Sequence, residues 1–528
     1  MEKYKKKCLY LFLFLFFIIG SLSSLNIGIS HDEFHEQANW EYNLNLSKKI
    51  SSEFFFNKSS DLKIENYNDK YYGIGFQLIS QPIQYFLKDF IFKYQNISEY
   101  GSKLVSKHFV VFLFFFISGI ILYSILKRIV KNKNFCYFST TLYFLYPYLF
   151  GQSLFNSKDI PFMTLWLVCS YLSLSLFEKF SKQKIIRSQK IIVLAILTAY
   201  LFSIRISGIL ILLQYSISFL IFLNTTKIKF NDFFLKNYQK LILFIFVVTI
   251  FTYFLHPVYW NNPFEIINAI KSMSYFYNDV CTKTLGSCMK AKDLPSTYLI
   301  IWLSVKLPLI ILVGLLLVPL TEKKIFIDHK KNIFFGTILI TSLLIPILFI
   351  FLKTNLYDEI RHILFLVPFY FMIGTISLFI FSRKIFYLLG VLTISIFTIE
   401  NIKIHPYQYV WFNLPSRFID LTNQFELDYQ GLSGKVISKK ISDLNNNNTC
   451  ILTSPIYSVK PFLNKEKHNC FDIWQYVDTN YRRPFLAVQH VRNIKKGIPY
   501  NCSLVYESGF YLLFHEKKFV TGKLLKCS

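Results

Sequence analysis

Long apolar segments alternate along this chain with short polar segments that are rich in lysine and arginine. A run of about 20 apolar residues can cross the hydrocarbon core of a bilayer as a helix. Eleven segments approach or reach this length, near residues 9–27, 109–126, 136–153, 161–177, 189–204, 206–222, 241–255, 297–320, 332–352, 363–381 and 384–400. The pattern predicts a polytopic α-helical membrane protein with about 11 transmembrane helices.

Clusters of basic residues lie beside alternate apolar segments. They are Lys3, Lys5, Lys6 and Lys7; Lys127, Arg128, Lys131 and Lys133; Lys179, Lys182, Lys184, Arg187 and Lys190; Lys227, Lys229, Lys236 and Lys240; Lys323, Lys324, Lys330 and Lys331; and Arg383 with Lys384. All of them fall on one side of the membrane if the N-terminus is cytoplasmic, which the positive-inside rule favours. Small residues at 20–24 would also suit cleavage of a signal peptide, but the alternation favours an uncleaved first span.

This topology places three sizeable segments outside the cytoplasm. They are a first outer loop at about 30–107, a second at about 256–296, and a tail at 401–528. Short β-prone runs in the tail are separated by Asn, Pro and Gly, which is typical of a small α/β domain. We therefore predict a transmembrane domain at 1–400 and an extracytoplasmic C-terminal domain at 401–528.

The cysteines support this orientation. Cys281 and Cys288 share the second outer loop, and the tail contains Cys450, Cys470, Cys502 and Cys527. Even numbers of cysteines on the outer side fit disulfides in an oxidising compartment. A Cys281–Cys288 disulfide is expected because the two residues are close in sequence, whereas the tail allows three pairings.

Composition narrows the function classes. The 528 residues are 53% hydrophobic and only 17% charged, which excludes a disordered chain and argues against a soluble enzyme. The net charge of +27 could suggest nucleic-acid binding. However, the predicted cytoplasmic loops hold 23 basic and five acidic residues, so 18 of these positive charges face the inner leaflet. The surplus of positive charge therefore mainly indicates the membrane topology.

Two adjacent carboxylates, Asp32 and Glu33, directly follow the first predicted span and are flanked by two histidines, His31 and His35. A carboxylate at this position can take a proton from an acceptor hydroxyl as a general base. Oxygen ligands of this kind could also hold a divalent cation, although the pair does not require one. The alternative is an ordinary solvated start of a loop.

Cationic residues occur at the outer ends of other spans. Lys158 and Asp159 lie in a short outer turn, Arg205 separates two apolar segments, and Arg361 with His362 begins the tenth span. Lys158 and Arg361 could bind an anionic phosphate, the latter helped by free N–H groups at a helix start. A charge this close to the membrane core is costly, so Arg205 is a further candidate. Alternatively, these residues are a surface turn, a salt bridge and an interfacial arginine.

Six motifs in order along the chain carry a resemblance. They are Asp32-Glu33, Phe155–Phe162, Ser203–Ile206, Tyr357–His362, His405–Tyr409 and Glu426–Ser433. They resemble motifs of the GT-C superfamily of polyprenyl-phosphate-dependent glycosyltransferases, and more specifically of bacterial members of the protein-mannosyltransferase-like family, glycosyltransferase family 39. Ser157 stands where that pattern typically has proline, and Gln430 where it has tryptophan.

The resemblance implies an enzyme of a bacterial inner (plasma) membrane. Such an enzyme transfers a sugar, with inversion, from a polyprenyl phosphate to an acceptor hydroxyl of a protein, lipid or glycan at the outer face. Asp32 would then be the base, and Glu33 would shape the site or bind an acceptor or ion. Arg361, followed by Lys158 and Arg205, would stabilise the leaving phosphate, and His362 would bind substrate. Asp159 would bind hydroxyls. The main alternatives are a secondary transporter or lipid flippase, whose site usually lies near the bilayer midplane, and a non-enzymatic envelope scaffold.

Overall fold

The computed structural model describes residues 2–56, 69–95, 97–182, 186–274, 279–326, 329–444, 449–463, 470–473, 484–490 and 501–528. Helices dominate the first 400 residues, and strands are concentrated after residue 449. The predicted fold class, a polytopic helical membrane protein with a small C-terminal α/β region, is confirmed.

The described part of the chain contains nineteen α-helices. They are α1 (Glu2–Leu25), α2 (His31–Phe56), α3 (Gly75–Gln95), α4 (Glu99–Ile129), α5 (Lys133–Leu145), α6 (Pro147–Ser153), α7 (Asp159–Ser181), α8 (Ser188–Ile204), α9 (Ile211–Thr226), α10 (Phe230–Phe254), α11 (Glu265–Ser274), α12 (Tyr298–Lys306), α13 (Leu309–Leu316), α14 (Val318–Phe326), α15 (His329–Phe351), α16 (Val367–Phe381), α17 (Arg383–Lys403), α18 (Leu421–Gln424) and α19 (Gly434–Asp443). Each of the eleven predicted spans coincides with one or more of these helices.

The helices differ in how completely they could cross a membrane. Within the described ranges, seven are long and apolar enough to do so, and Leu9–Leu25 and Ser188–Ile204 are shorter apolar helices. The two other predicted spans are interrupted at prolines. Pro147 separates α5 from α6, and Pro308 separates α12 from α13. Proline cannot donate the helical backbone hydrogen bond, so a continuous helix ends before it.

The described parts of the two predicted outer loops contain regular secondary structure. The first contains α2 and α3, and the second contains α11 and an antiparallel hairpin of β1 (Cys281–Thr284) and β2 (Ser287–Lys290). The expected Cys281–Cys288 disulfide joins the two strands of this hairpin. The two strands of the hairpin are thereby joined covalently as well as by hydrogen bonds.

A five-stranded mixed sheet forms the C-terminal α/β region. Its strands are β3 (Cys450–Ser454), β4 (Phe471–Ile473), β5 (Phe485–His490), β6 (Cys502–Phe510) and β7 (Phe519–Cys527), in the order β4-β3-β5-β7-β6. β3 is parallel to β4 and β5, and β7 is antiparallel to β5 and β6. Among the three pairings that the sequence left open, the structure contains Cys450–Cys470 and Cys502–Cys527.

The segment between the last long helix and the sheet packs on the helical region. Tyr409, Trp411 and Leu432 are buried within the main apolar core of the helices, and the backbone N–H of His31 donates to the carbonyl of Gln430 at 3.0 Å. The C-terminal region is thereby attached at the start of α2. The boundary at residue 400 remains a prediction.

Close packing of α13 on α16 depends on two glycines. A Cβ atom on Gly314 would lie 1.9 Å from the carbonyl oxygen of Gly374. Small residues let membrane helices approach in this way. We predict that Gly314→Ala destabilises the protein by about 1–3 kcal/mol, measured as a lower thermal midpoint of the purified protein in detergent.

The matched control is Gly336→Ala. A Cβ atom there would meet only the side chains of Ile221 and Phe326, at 3.3 Å and beyond. This variant should unfold at the wild-type midpoint or slightly above it, because alanine favours the helix. Equal midpoints for the two variants would contradict the packing argument.

Candidate active site

Four helix ends lie close together at one place in the fold. Asp32 lies in the first turn of α2, Asp159 begins α7, Arg205 follows α8, and Arg361 begins a short 3-10 helix that leads into α16. These residues are far apart in sequence. The fold therefore brings four of the predicted site residues into one cluster.

Arg361 is at the centre of this cluster, and its side chain is only 7% exposed. Its Nη2 donates to Asp32 Oδ2 at 2.5 Å, its Nε to Asp159 Oδ2 at 3.2 Å, and its Nη1 to Asp358 Oδ2 at 3.1 Å. Three carboxylates therefore occupy its three nitrogens. Since a phosphate would have to displace them, Arg361 is better suited to positioning the aspartates than to binding the donor directly.

The loop that carries Asp358 has an unusual backbone. Asp358 and Glu359 have φ values of +56° and +67°, a left-handed conformation that is strained for residues other than glycine. The hydroxyl of Thr282 in β1 accepts the backbone N–H of Asp358 at 2.8 Å. On the other side, the carboxylate of Glu359 pairs with the buried Lys306 ammonium at 2.8 Å. These contacts hold the loop in place and direct Asp358 toward Arg361.

Glu33 does not line the cluster, in contrast to the catalytic role expected for it. It is buried, and its Oε1 accepts the backbone N–H of Ser30 at 2.7 Å, which is the capping-box arrangement for the start of α2. Its Oε2 lies 2.7 Å from His108 Nε2, and His108 Nδ1 lies 3.1 Å from the carbonyl of Ser24. Glu33 therefore fixes the position of α2, and with it Asp32.

Two cavities adjoin at this cluster, each with a volume of about 160 Å³. The first is lined by His31, Asp32, His35, Glu36, Asp69, Tyr72, Lys158, Arg205, Val280, Tyr357, Asp358 and Arg361. The second is lined by Tyr71, Tyr72, Gly73, Lys158, Ile204, Arg205, Ile206, Ser207, Phe349, Thr354, Asn355, Leu356, Tyr357 and His362. Among the lining residues, carboxylates occur only in the first cavity, whereas the second includes the apolar side chains of Ile204, Ile206, Phe349 and Leu356.

Lys158 belongs to the wall shared by the two cavities. Its ammonium makes no ion pair with any residue that the structure describes, and it lies 3.3 Å from the centre of the Tyr72 ring. Burial lowers the pKa of Lys158 to about 8, although the nearby Glu36 carboxylate partly opposes this effect. The ammonium is therefore charged at neutral pH and available for an anion.

Arg205 and His362 line the second cavity together with Lys158. Arg205 Nη1 pairs with Asp159 Oδ1, and its Nη2 is 3.4 Å from His362 Nδ1. A guanidinium can only donate, so Nδ1 is the acceptor and the proton of the neutral imidazole is on Nε2. That Nε2 is buried and has no hydrogen-bond partner in the described part of the chain. His362 can therefore donate to a ligand.

The carboxyl of Asp32 has a pKa held well below its usual range. Burial on its own would raise that pKa, but the charges of Arg361, His31 and Lys158 and the hydrogen bond from Arg361 outweigh it. Asp32 is therefore ionised at any physiological pH.

Glu36 is a cavity residue that the sequence reasoning did not select. It lies one helical turn after Asp32 on α2 and accepts a hydrogen bond from the hydroxyl of Ser157. The signal was present, because residues four apart share a helix face. Glu36 was missed because the segment after the first span was interpreted as the start of a loop, and helical spacing does not apply to a loop.

The described residues contain no group of three or more His, Cys, Asp or Glu side chains that could hold a metal ion. Two carboxylates of the first cavity, Asp32 and Asp358, pair with Arg361. The site can therefore bind an anion beside a set of carboxylates through its own side chains.

No protein-family model and no curated protein matches the chain. The chain is similar to the crystal structure of ArnT from Cupriavidus metallidurans in the apo state, with 9% identity and a TM-score of 0.45, over 98% of this chain and 97% of that chain. It is also similar to ArnT of the same organism bound to undecaprenyl phosphate, with 10% identity and a TM-score of 0.46 over the same shares. The chemistry of the site is interpreted from its own geometry.

Replacing Arg361 by glutamine should destabilise the fold, because the buried carboxylates of Asp159 and Asp358 would each lose an ion pair. Breaking a buried ion pair costs about 3–5 kcal/mol. The measurement is the thermal midpoint of the full-length protein in detergent. Arg383→Gln, which removes an exposed arginine at the start of α17, is the matched control and should keep the wild-type midpoint. If the two variants unfold alike, Arg361 does not hold the cluster together.

Proposed function

We propose that this protein is a membrane glycosyltransferase. It moves a sugar from a polyprenyl phosphate to an acceptor hydroxyl at the outer face of a bacterial inner membrane, with inversion. One observation carries the proposal: two adjoining cavities share a cationic wall, with carboxylates on one side and apolar side chains on the other. A phosphodiester between a sugar and a lipid matches that distribution of charge.

The second cavity is suited to the donor. Lys158, Arg205 and His362 offer N–H donors to a phosphate oxygen, and such donors stabilise the charge that develops on the leaving phosphate. Phe349 and Leu356 line the same cavity, and Phe349 belongs to the candidate membrane helix α15. A prenyl chain lying along α15 would bring its phosphate to these cations.

The first cavity is suited to the acceptor. Its carboxylates can accept the proton of an attacking hydroxyl, while Asp159 and Asp358 are occupied by arginines. Attack from this cavity would displace the phosphate held by the shared wall. A single displacement across the sugar inverts the configuration at its anomeric carbon. The acceptor hydroxyl belongs to a protein, a lipid or a glycan.

The geometry disfavours a transporter or flippase. Such proteins bind their substrate near the bilayer midplane between broken helices. Here the charged side chains lie at helix ends, and α2, α3 and the β1–β2 hairpin surround them. With the N-terminus in the cytoplasm, these ends face outward.

The proposed function predicts that the glycolipids or glycoproteins of the cell envelope differ between cells with and without the gene. Mass spectrometry of glycolipids and glycoproteins should find one class of molecule that lacks a single sugar in cells without the gene. The native gene should restore it, and a gene encoding the double variant Asp32→Asn and Glu36→Gln should not, because the two changes remove both α2 carboxylates of the first cavity and a general base contributes about 10²–10⁴-fold to rate. A gene encoding Asp443→Asn, changed at the C-terminal end of α19, is the control. Identical envelopes with and without the gene would contradict the proposal.

The role of Lys158 predicts a dependence on pH. Because its pKa is about 8, raising the pH from 7 to 9 neutralises most of the ammonium and weakens binding of the donor phosphodiester, whose own charge does not change. The donor KM should rise by about tenfold, with little change in kcat.

Lys158→Arg tests the assignment, since arginine stays charged throughout this range. The KM of this variant should be nearly constant between pH 7 and 9. If the wild-type KM is already constant over that interval, Lys158 does not bind the phosphate.

A further inference from the structure

We propose that Glu36 accepts the proton of the acceptor hydroxyl, and that Asp32 instead fixes Arg361 at the edge of the acceptor cavity. This inference rests on the proposed glycosyl transfer and names the residue that performs its proton step. The observation behind it is that α2 presents two carboxylates, one turn apart, to the same cavity.

The two carboxylates differ in their contacts. Asp32 Oδ2 accepts Arg361 Nη2 at 2.5 Å and Gln430 Nε2 at 3.5 Å. Glu36 Oε2 accepts a hydrogen bond from a neutral donor, the hydroxyl of Ser157. An anion that is tied to a guanidinium is a weak proton acceptor, since protonation would break the ion pair. Geometry therefore favours Glu36 as the proton acceptor.

Charged groups face Glu36 from three elements. They are Lys158 at the start of α7, Lys107 on α4, and Asp32 and Glu33 on α2 itself. Burial raises the pKa of Glu36, and the two neighbouring carboxylates add to that effect, while Lys158 and Ser157 oppose it. The pKa of Asp32 shifts in the opposite direction. A base is most effective when its pKa is near the working pH, which again favours Glu36.

The step balances without another reactant. The acceptor oxygen forms a bond to the anomeric carbon while the bond from that carbon to the phosphate oxygen breaks. The hydroxyl proton moves to the Glu36 carboxylate, and the bonding electrons leave with the polyprenyl phosphate, which takes a second negative charge beside Lys158 and Arg205. The proton then returns to solvent through the open first cavity.

The experiment measures kcat against pH for the purified full-length protein. Synthetic polyprenyl-phosphate hexoses and pentoses are the donors, and membranes from cells lacking the gene supply the acceptor. The wild-type rate should fall at acidic pH with a midpoint above 4.5, the ordinary pKa of glutamate. If Asp32 were the base, the fall would lie below 3.8, the ordinary pKa of aspartate.

Four variants separate the two carboxylates. Glu36→Gln should lower kcat by about 10²–10⁴-fold with little change in donor KM, and Glu36→Asp should recover part of the loss. Ser157→Ala removes a hydrogen bond to the Glu36 carboxylate. The fall of kcat at acidic pH, which is the acid limb of the profile, should therefore move to higher pH in this variant. Asp32→Asn removes a neighbouring negative charge, so its acid limb should move to lower pH but persist.

Glu41→Gln, on the same helix but outside both cavities, is the matched control and should keep the wild-type rate and profile. The inference is overturned if Glu36→Gln keeps more than half of the wild-type kcat while its melting temperature shows that it is folded. It is also overturned if the fall of kcat at acidic pH disappears only in Asp32→Asn. If the wild-type protein transfers no sugar from any donor, the proposed function itself fails, and the inference fails with it.

Discussion

The buried guanidinium of Arg361 holds the candidate site together. Arg361 donates to Asp32, Asp159 and Asp358, which come from the start of α2, the start of α7 and the loop before α16. A buried charge without a partner costs several kcal/mol, so these three segments are stable only when they meet. Asp159 also pairs with Arg205 at the end of α8. The arrangement of four helix ends, and of every cavity between them, depends on this network.

The network also determines which residues have which role in the proposed reaction. Because its nitrogens are occupied by aspartates, Arg361 organises the carboxylates, and the ammonium of Lys158 remains for an anion. Glu36 lies on the carboxylate side of that ammonium, and His362 on its apolar side. Donors and acceptors that are fixed before the substrate arrives do not have to reorganise during reaction. The separation of the proposed acceptor cavity from the proposed donor cavity is therefore built into the fold.

Residues remote from the cavities support this arrangement. Glu33 caps α2 and contacts His108 of α4, which sets the angle at which α2 leaves the membrane region. Thr282 of the disulfide-linked hairpin holds the strained backbone of Asp358. Gln430, from the segment before the C-terminal sheet, reaches Asp32. Each contact connects a segment outside the candidate membrane helices to the cluster, so these segments are part of the site.

The sequence alone determined the helical membrane architecture, because spans of apolar residues and clusters of lysine follow directly from the cost of burying charge in lipid. It also selected Asp32, Lys158 and Arg361, since charges at span ends are unusual. It could not decide their partners, because hydrogen bonds between residues 202 or 329 positions apart are set by helix packing and leave no local pattern. For the same reason, only the tertiary structure turned Glu33 away from the cavity and Glu36 toward it. Those orientations depend on where α4 and α7 lie against α2, which residue spacing within α2 does not specify.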